Sequence, residues 1–324
     1  MERMERTTPS DDAHLHAWHE ALLARCKTLA PVVTAVAHPC DAHSLAAAVE
    51  AADLGLIAPI LVGPEARIRE AASEAGVDIS RFELDPAPHS HAAAAQAVAL
   101  VRCGKAQLLM KGSLHTDELM HEVMAHDTGL KTERRISHVY LMDIPGFGRP
   151  LLITDAAINI APDLTDKRHI VQNAIDLAHV MQIPAPKVAI LSAVETVNPQ
   201  IQSTLDAAAL CKMADRRQIT GGILDGPLAF DNAISAQAAR DKGIVSPVAG
   251  EVDILVVPDL VSGNILAKQL TFLSHADAAG VVLGARVPII LTSRADAERT
   301  RIASCAVAAL MAQLPPLALK APSR

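Results

Sequence analysis

A short apolar run near the end of the chain leads directly into a hydroxyl, a guanidinium and a carboxylate. The run is Pro288–Leu291, and the side chains belong to Ser293, Arg294 and Asp296. In an open α/β sheet, ligands bind at the carboxyl ends of strands, and a helix N-terminus there favours anions. These side chains could therefore hold a phosphate or a developing oxyanion. The alternative is that Ser293 or Thr292 caps the final helix and that Arg294 is solvated.

A second predicted strand ends in a cation, a glycine and hydroxyl groups. Met110 is followed by Lys111 and Gly112, and then by His115 and Thr116. In this interpretation Gly112 lets backbone amides approach a ligand, Lys111 supplies positive charge and Thr116 caps the next helix. The alternative is an ordinary strand-to-helix turn with a capping threonine.

Polar side chains also border five other predicted strands. Arg134 and Arg135 stand beside the start of one, where a solvated basic pair is the alternative to an anion site. The other four strands end in polar groups, which are Thr154, Asp155 and Asn159; Ser192 and Glu195; Asp225 to Leu228 with Asp231; and Pro258, Asp259, Ser262, Gly263, Asn264 and Lys268. We expect the fold to collect these strand ends in one place, which predicts a binding site there.

Alternating strand and helix patterns predict an α/β fold with mostly parallel sheets. The short connection between the apolar runs Val139–Asp143 and Leu151–Thr154 predicts an antiparallel hairpin, which we take as the start of a second domain. The final helix, Asp296–Gln313, would return to the first domain. We therefore predict one domain from residues 1–138 and 292–324, a second from residues 139–291, and a cleft between them.

Composition narrows the range of functions. The 324 residues include only six aromatic ones, four Phe, one Trp and one Tyr, and the net charge is −7. Few stacking side chains and a negative charge argue against a nucleic-acid partner. Five widely spaced cysteines predict reduced thiols and a cytoplasmic location, with no zinc site. We expect no membrane span.

Together these residues resemble the phosphate acetyltransferase and phosphate butyryltransferase family over nearly the whole chain. The order and spacing of several short motifs carry the resemblance. They are Lys111-Gly112 with Thr116; Arg135-Ile136-Ser137-His138; Leu152 to Asn159 with Pro162; Pro186 to Ser192; Asp225-Gly226-Pro227-Leu228; Pro258-Asp259 with Gly263, Asn264 and Lys268; and Ser293-Arg294.

The resemblance implies two three-layer α/β/α domains of the isocitrate/isopropylmalate dehydrogenase-like type and a homodimer. It also implies reversible transfer of a short acyl group, namely acetyl, propionyl or butyryl, between coenzyme A and inorganic phosphate. Coenzyme A and phosphate would both be substrates, with no cofactor permanently bound and no metal in the chemistry. Arg294 would bind phosphate, and Ser293 would donate to the transition state. Further substrate contacts are expected from Lys111, Gly112, His115, Thr116, Arg135, Ser137, Asp155, Asn159, Asn264 and Lys268.

The sequence departs from the acetyltransferase pattern at the expected general base. That branch carries an acid shortly into the last helix, where this chain has Thr300. Asp296 and Glu298 lie nearby, and we predict Asp296 as the base. The Ser293–Asp296 run and the Lys111-Gly112 loop look more like the butyryl branch.

The sequence also resembles the transferase portion of longer proteins that carry an enoyl-CoA hydratase-like domain, which we do not find in it. One alternative is therefore a non-catalytic coenzyme A-binding or scaffold subunit that partners a separate enoyl-CoA hydratase. Another is a metal- and nicotinamide-dependent decarboxylating dehydrogenase, in which Asp225 and Asp231 would hold the metal.

Overall fold

The computed structural model describes residues 17–292 and 296–314, and it contains one mixed sheet flanked by helices. The strands pair in the order β3-β2-β1-β4-β11-β10-β5-β6-β9-β7-β8. Their bounds are β1 Val32–Ala37, β2 Ile57–Gly63, β3 Glu83–Pro86, β4 Leu108–Lys111, β5 Ser137–Asp143, β6 Leu151–Thr154, β7 Lys187–Leu191, β8 Ile223–Leu228, β9 Ile254–Val256, β10 Asp277–Leu283 and β11 Ile289–Ile290.

Helices fill most of the connections between the strands. Their bounds are α1 Ala17–Cys26, α2 Ala42–Asp53, α3 Glu65–Ala75, α4 Ser90–Arg102, α5 Thr116–Met124, α6 Leu164–Val180, α7 Gln202–Asp215, α8 Phe230–Ile234, α9 Ala236–Asp241, α10 Leu260–Leu273 and α11 Glu298–Gln313. None of the helices in the described ranges is both long enough and apolar enough to span a bilayer.

The sheet contains two parallel blocks that run in opposite directions. Strand β11 is parallel to β4, and β10 is antiparallel to both β11 and β5. The predicted hairpin is confirmed, because β5 pairs antiparallel with β6. Strand β6 and its parallel neighbours β9, β7 and β8 therefore run opposite to β4. We call the two sides of the sheet the Lys111 edge, where β1, β4 and β11 end, and the Asp155 edge, where β6, β7, β8 and β9 end.

The apolar core differs between the two faces of the sheet. On one face a single buried cluster runs along the sheet beneath α1, α2, α3, α6, α7 and α11. On the other face there are two clusters, one beneath α4 and α5 and one beneath α8 and α10. The second face therefore has a break in its helical cover over the central strands. One sheet passes through both predicted domains, and the division between them stays a prediction.

Several predicted bounds need correction. Asp225–Leu228 belongs to β8 itself, because Asp225 pairs with Ala189 and Leu228 with Leu191 in the ladder with β7. The last helix begins at Glu298 rather than at Asp296. Strand β3 and the short helices α8 and α9 were not predicted.

Candidate active site

The two residues at the centre of the predicted site, Ser293 and Arg294, lie outside the described residues. Their neighbours on both sides are described. Thr292 is buried, with 8 % of its surface exposed, and Asp296 is half-buried. Strand β11 ends two residues before Thr292, and α11 begins two residues after Asp296. The segment therefore joins the Lys111 edge of the sheet to the start of the last helix.

The structure brings Lys111 next to that segment. Lys111 is 6 % exposed, and its Nζ donates to the carbonyl oxygens of Gly112 and Leu114, each at 3.2 Å. Lys111 and Thr292 line the same small cavity beside Arg301 of α11. The buried ammonium group places a positive charge beside this cavity. This part of the prediction is consistent with an anion site.

Gly112 has a different role from the one predicted. Its amide donates to the Ala37 carbonyl at 2.9 Å, and the Ser113 amide donates to the His38 carbonyl at 2.9 Å. A Cβ atom at position 112 would lie 2.5 Å from the Ala37 oxygen. Glycine is needed because the β4 loop passes against the end of β1, so the Gly112 amide is committed to backbone pairing rather than to a ligand.

Thr116 does not cap α5. The N-cap position belongs to His115, no side chain makes a capping hydrogen bond there, and Thr116 is the first residue of the helix. Both side chains are exposed. The first turn of the helix instead carries Asp117 and Glu118, whose negative charges interact favourably with the positive N-terminal end of the helix dipole.

At the Asp155 edge, three of the predicted residues form one hydrogen-bonded network. The carboxylate of Asp155 accepts from the amides of Ala157, Ile158 and Asn159 at 2.9, 3.0 and 3.2 Å. The Asn159 side chain donates to Asp155 at 2.5 Å and accepts from Arg135 Nε at 2.6 Å. Burial raises the pKa of Asp155, and these hydrogen bonds oppose the shift.

This network fixes the Arg135 side chain at the border of the site. The Arg135 side chain remains 45 % exposed, and its Nε lies 3.5 Å from Oδ1 of Asp166. Its Nε is held by Asn159, so the solvent-facing part of the guanidinium is placed to meet an anion. Ser137, by contrast, is fully buried and accepts from Asn173 at 2.8 Å, so its hydroxyl serves the packing of α6 on β5.

The remaining predicted contacts come from α10, which begins beside Asp155. A Cβ at Gly263 would lie 2.7 Å from the Asp155 carbonyl, and Asn264 donates to the Ala156 carbonyl at 3.3 Å. Asn264 thereby ties α10 to the Asp155 loop. Lys268 lies one turn further along and is exposed.

The centre of the sheet contributes residues that sequence reasoning missed. His138 and Tyr140 of β5 are in edge-to-face contact, with ring centroids 4.3 Å apart. Gly280 on β10 lies opposite Tyr140, and a Cβ there would stand 2.8 Å from His138 Nε2. Tyr140 packs against the α8 and α10 cluster. We call these three residues the cleft floor, after the cleft predicted from the sequence. The glycine inside an apolar strand, Gly280, was the signal that could have pointed to them.

Asp296 lies close to this floor. Burial, and then the Asp296 carboxylate, raise the pKa of Tyr140 to about 12. Glu298 has a different neighbour, because it shares a hydrogen bond with Glu50 of α2, and burial with this contact raises the pKa of Glu50. The structure therefore separates the two acids that follow Arg294, with Asp296 near the floor and Glu298 against α2.

The polar strand ends do not all lie at one edge of the sheet. Lys111, Thr292 and Asp296 belong to the Lys111 edge, whereas Arg135, Asp155 and Asn159 belong to the Asp155 edge. The hairpin of β5 and β6 reverses the chain direction, so each parallel block collects its own strand ends. A ligand that contacts both groups has to extend along the central strands.

The comparisons with known proteins decide the family. Residues 87–309 match the phosphate acetyl/butyryl transferase family. The chain belongs to this family. It is 68 % identical over 294 residues to a phosphate acetyltransferase of Rhizobium meliloti, covering 91 % of this chain and 93 % of that protein. It is 41 % identical over 293 residues to a phosphate butyryltransferase of Clostridium beijerinckii, covering 90 % and 97 % respectively.

A solved structure supports the same assignment. A branched-chain phosphotransacylase from Enterococcus faecalis V583 superimposes with a TM-score of 0.76 at 30 % identity, over 87 % of this chain and 99 % of that one. As a member of the phosphate acetyl/butyryl transferase family, the protein is an acyltransferase. The dehydrogenase and scaffold alternatives have no support in these comparisons. In the described part of the chain, no group of three or more His, Cys, Asp and Glu side chains is arranged to hold a metal ion.

Because His138 of the cleft floor is buried, we expect the free energy of unfolding of this transferase to depend on pH. Burial lowers the pKa of His138 from 6.5 to about 3. The unfolded chain therefore binds a proton below pH 6.5 that the folded chain does not, and stability falls as the pH falls towards 3. From pH 7 to pH 5, His138 should cost about 2 kcal/mol of unfolding free energy.

Urea unfolding at both pH values, on the wild type and on His138→Asn, measures this contribution. The variant should lose about 2 kcal/mol less than the wild type over that interval. An equal loss in both proteins would show that His138 is protonated in the folded state or reaches water there.

Proposed function

We propose that this protein transfers a short acyl group reversibly between coenzyme A and inorganic phosphate, by direct attack in a ternary complex. Family membership supports the reaction. The structural observation that carries the site is the small cavity that Lys111 and Thr292 share with Arg301, whose guanidinium bonds to the Asp296 carbonyl. Phosphate, leaving or entering, would be bound by Arg294, with Lys111 as a second cation.

The chemistry assigns one role to each side chain. The thiol of coenzyme A has an ordinary pKa of about 8.5, so it needs a base or a cationic surrounding to become a thiolate. Asp296 takes the thiol proton, and the thiolate attacks the carbonyl carbon of the acyl phosphate. Ser293 donates to the tetrahedral oxyanion, the carbon–oxygen bond to phosphate then breaks, and phosphate leaves bound to Arg294. The reverse reaction follows the same steps backwards.

The two edges of the sheet would hold different parts of coenzyme A. Arg135 precedes β5 at the Asp155 edge, and Tyr140 lies five residues further along, about 17 Å for an extended strand. We propose that the thiol arm runs over the cleft floor towards Asp296. The phosphates of coenzyme A would then meet Arg135 and the exposed Lys268, while Asn159 and Asn264 hold Arg135 and α10 in place. This path uses the break between the two apolar clusters as the cleft between the proposed domains.

Acyl preference is proposed from the relatives. The relative that is 68 % identical is a phosphate acetyltransferase, and the butyryltransferase is 41 % identical. We therefore propose acetyl as the preferred group, although the Lys111-Gly112 loop resembles the butyryl branch. Free thiol release from acetyl-, propionyl- and butyryl-CoA, with and without phosphate, tests both points. The proposed reaction is wrong if no acyl-CoA releases thiol in a phosphate-dependent way. The proposed acetyl preference is wrong if butyryl-CoA reacts fastest.

We also infer a homodimer that uses α10. One side of this helix exposes a row of large apolar side chains, each more than half exposed: Val261, Ile265, Phe272 and Leu273. Such a row is favourable in an interface and costly in water. Phe272→Lys should shift the protein from dimer to monomer in sedimentation velocity, whereas Lys242→Glu at the exposed end of α9 should not. A monomeric wild type would contradict the dimer.

The cellular setting is proposed from the cysteines and from the resemblance to longer fused proteins. The five cysteines are free thiols in the structure, which suits a reducing cytoplasm. A separate enoyl-CoA hydratase is the proposed partner, from the resemblance to longer fused proteins. Affinity purification of the full chain from its own cells would recover a hydratase if the two associate.

A further inference from the structure

We propose that Arg301 is a positioning residue for acyl transfer, because its guanidinium bonds to the backbone of Asp296, the proposed base, beside the cavity that Lys111 and Thr292 line. The inference rests on the proposed function and adds a residue to which that function gave no role. Arg301 lies in the first turn of α11, one residue after Thr300, where the acetyl branch has its acid.

The first contact fixes the end of the segment. Arg301 turns back along the helix, and its Nη1 donates to the backbone carbonyl of Asp296 at 2.6 Å. The helix ladder begins beyond Asp296, at the Ala297 carbonyl, which accepts from the Arg301 amide at 3.2 Å. A hydrogen bond from an ionised donor is stronger than a neutral one. The bond therefore holds the Asp296 backbone in a fixed place relative to α11.

The guanidinium also borders a small cavity. Arg301 lines a cavity of about 20 Å³ together with Lys111, Gly112 and Thr292. Its Nε is buried and has no hydrogen-bond partner among the described residues. A cavity of this size has room for about one water molecule. The guanidinium thus bonds to Asp296 and shares this cavity with Thr292 and Lys111.

Charged groups from two helices surround Arg301. Glu298 on its own helix and Glu50 on α2 share a hydrogen bond beside it, and Asp53 lies on the same side. Asp41 and His43, at the start of α2, lie on the side of Lys111. Arg301 is therefore the cation between the acids of α2 and the carbonyl of Asp296. Lysine would keep this charge but not the forked geometry.

Removal of the guanidinium should loosen the segment without removing a substrate contact. In Arg301→Met the kcat should fall about 10- to 100-fold, because small displacements of reacting groups have effects of this size. The KM for acetyl-CoA should stay within about twofold, since the contacts proposed for coenzyme A are untouched. Arg301→Lys should recover part of the kcat. Arg102→Met, at the exposed last turn of α4, is the matched control and should match the wild type.

Hydrogen–deuterium exchange of the full chain tests the tether without relying on activity. Amides of residues 292–298 should exchange faster in Arg301→Met than in the wild type or in Arg102→Met, while those of 304–310 keep their protection. Unchanged exchange and unchanged kcat in Arg301→Met would overturn the proposal. If the wild type shows no phosphate-dependent activity, the proposed function fails. The exchange rates alone then show whether Arg301 holds the Asp296 backbone. If Arg301→Met does not fold, Arg301→Lys takes its place, with faster exchange expected in the same segment.

Discussion

Arg294→Ala is expected to lower kcat/KM for phosphate by roughly 10²–10³, the usual loss when one preorganised donor is removed from a developing charge. The reason is the proposed role of Arg294 as the phosphate ligand. Its guanidinium can make a bidentate contact to phosphate, which the ammonium group of Lys111 cannot. Arg294→Lys should keep the charge and recover only part of the rate. The KM for acetyl-CoA should change little.

Steady-state thiol release at varied phosphate measures this effect. Arg102→Ala, an exposed arginine on α4, controls for the loss of one positive charge from the protein. Full activity in Arg294→Ala would remove Arg294 from the site and leave Lys111 or Arg135 as the phosphate ligand. A rise in the KM for acetyl-CoA alone would instead place Arg294 on the coenzyme.

Asp296→Asn is expected to lower kcat by roughly 10²–10⁴ near neutral pH, the range for loss of a general acid–base group. Asparagine keeps the size of the side chain and removes only the ability to take a proton. Because a thiolate forms without help above its own pKa of about 8.5, the deficit should shrink as the pH rises towards 9. A kcat–pH profile of both proteins shows this directly.

Glu298→Gln is the matched control for Asp296. Glu298 is the other acid after Arg294, and it faces Glu50 of α2 instead of the cleft floor. Its loss should leave kcat near that of the wild type. If Glu298→Gln loses activity and Asp296→Asn does not, the assignment of the base is wrong.

Local sequence patterns predicted the repeating elements well. Strand β6 has its predicted bounds, because a short apolar run with turn residues before it marks its limits. Strand β3 was missed because it is a four-residue edge strand, Glu83-Leu84-Asp85-Pro86, with no apolar run. Helices α8 and α9 have five and six residues, too short for a helical period to show.

The site was predictable only in parts. The Asp155 network was visible as a polar strand end, and its members do meet. Its separation from Lys111 was not visible, because it depends on β10 pairing between β11 and β5, which are far apart in sequence. The cleft floor was missed for a similar reason. His138 and Gly280 become neighbours only through that pairing.

The most direct test follows both products of one reaction. The protein is mixed with acetyl-CoA and phosphate, free thiol is measured, and acyl phosphate is trapped with hydroxylamine as the hydroxamate. Thiol and hydroxamate should form in equal amounts, and neither should form without phosphate. Thiol release that does not need phosphate, or that yields no hydroxamate, would contradict transfer to phosphate.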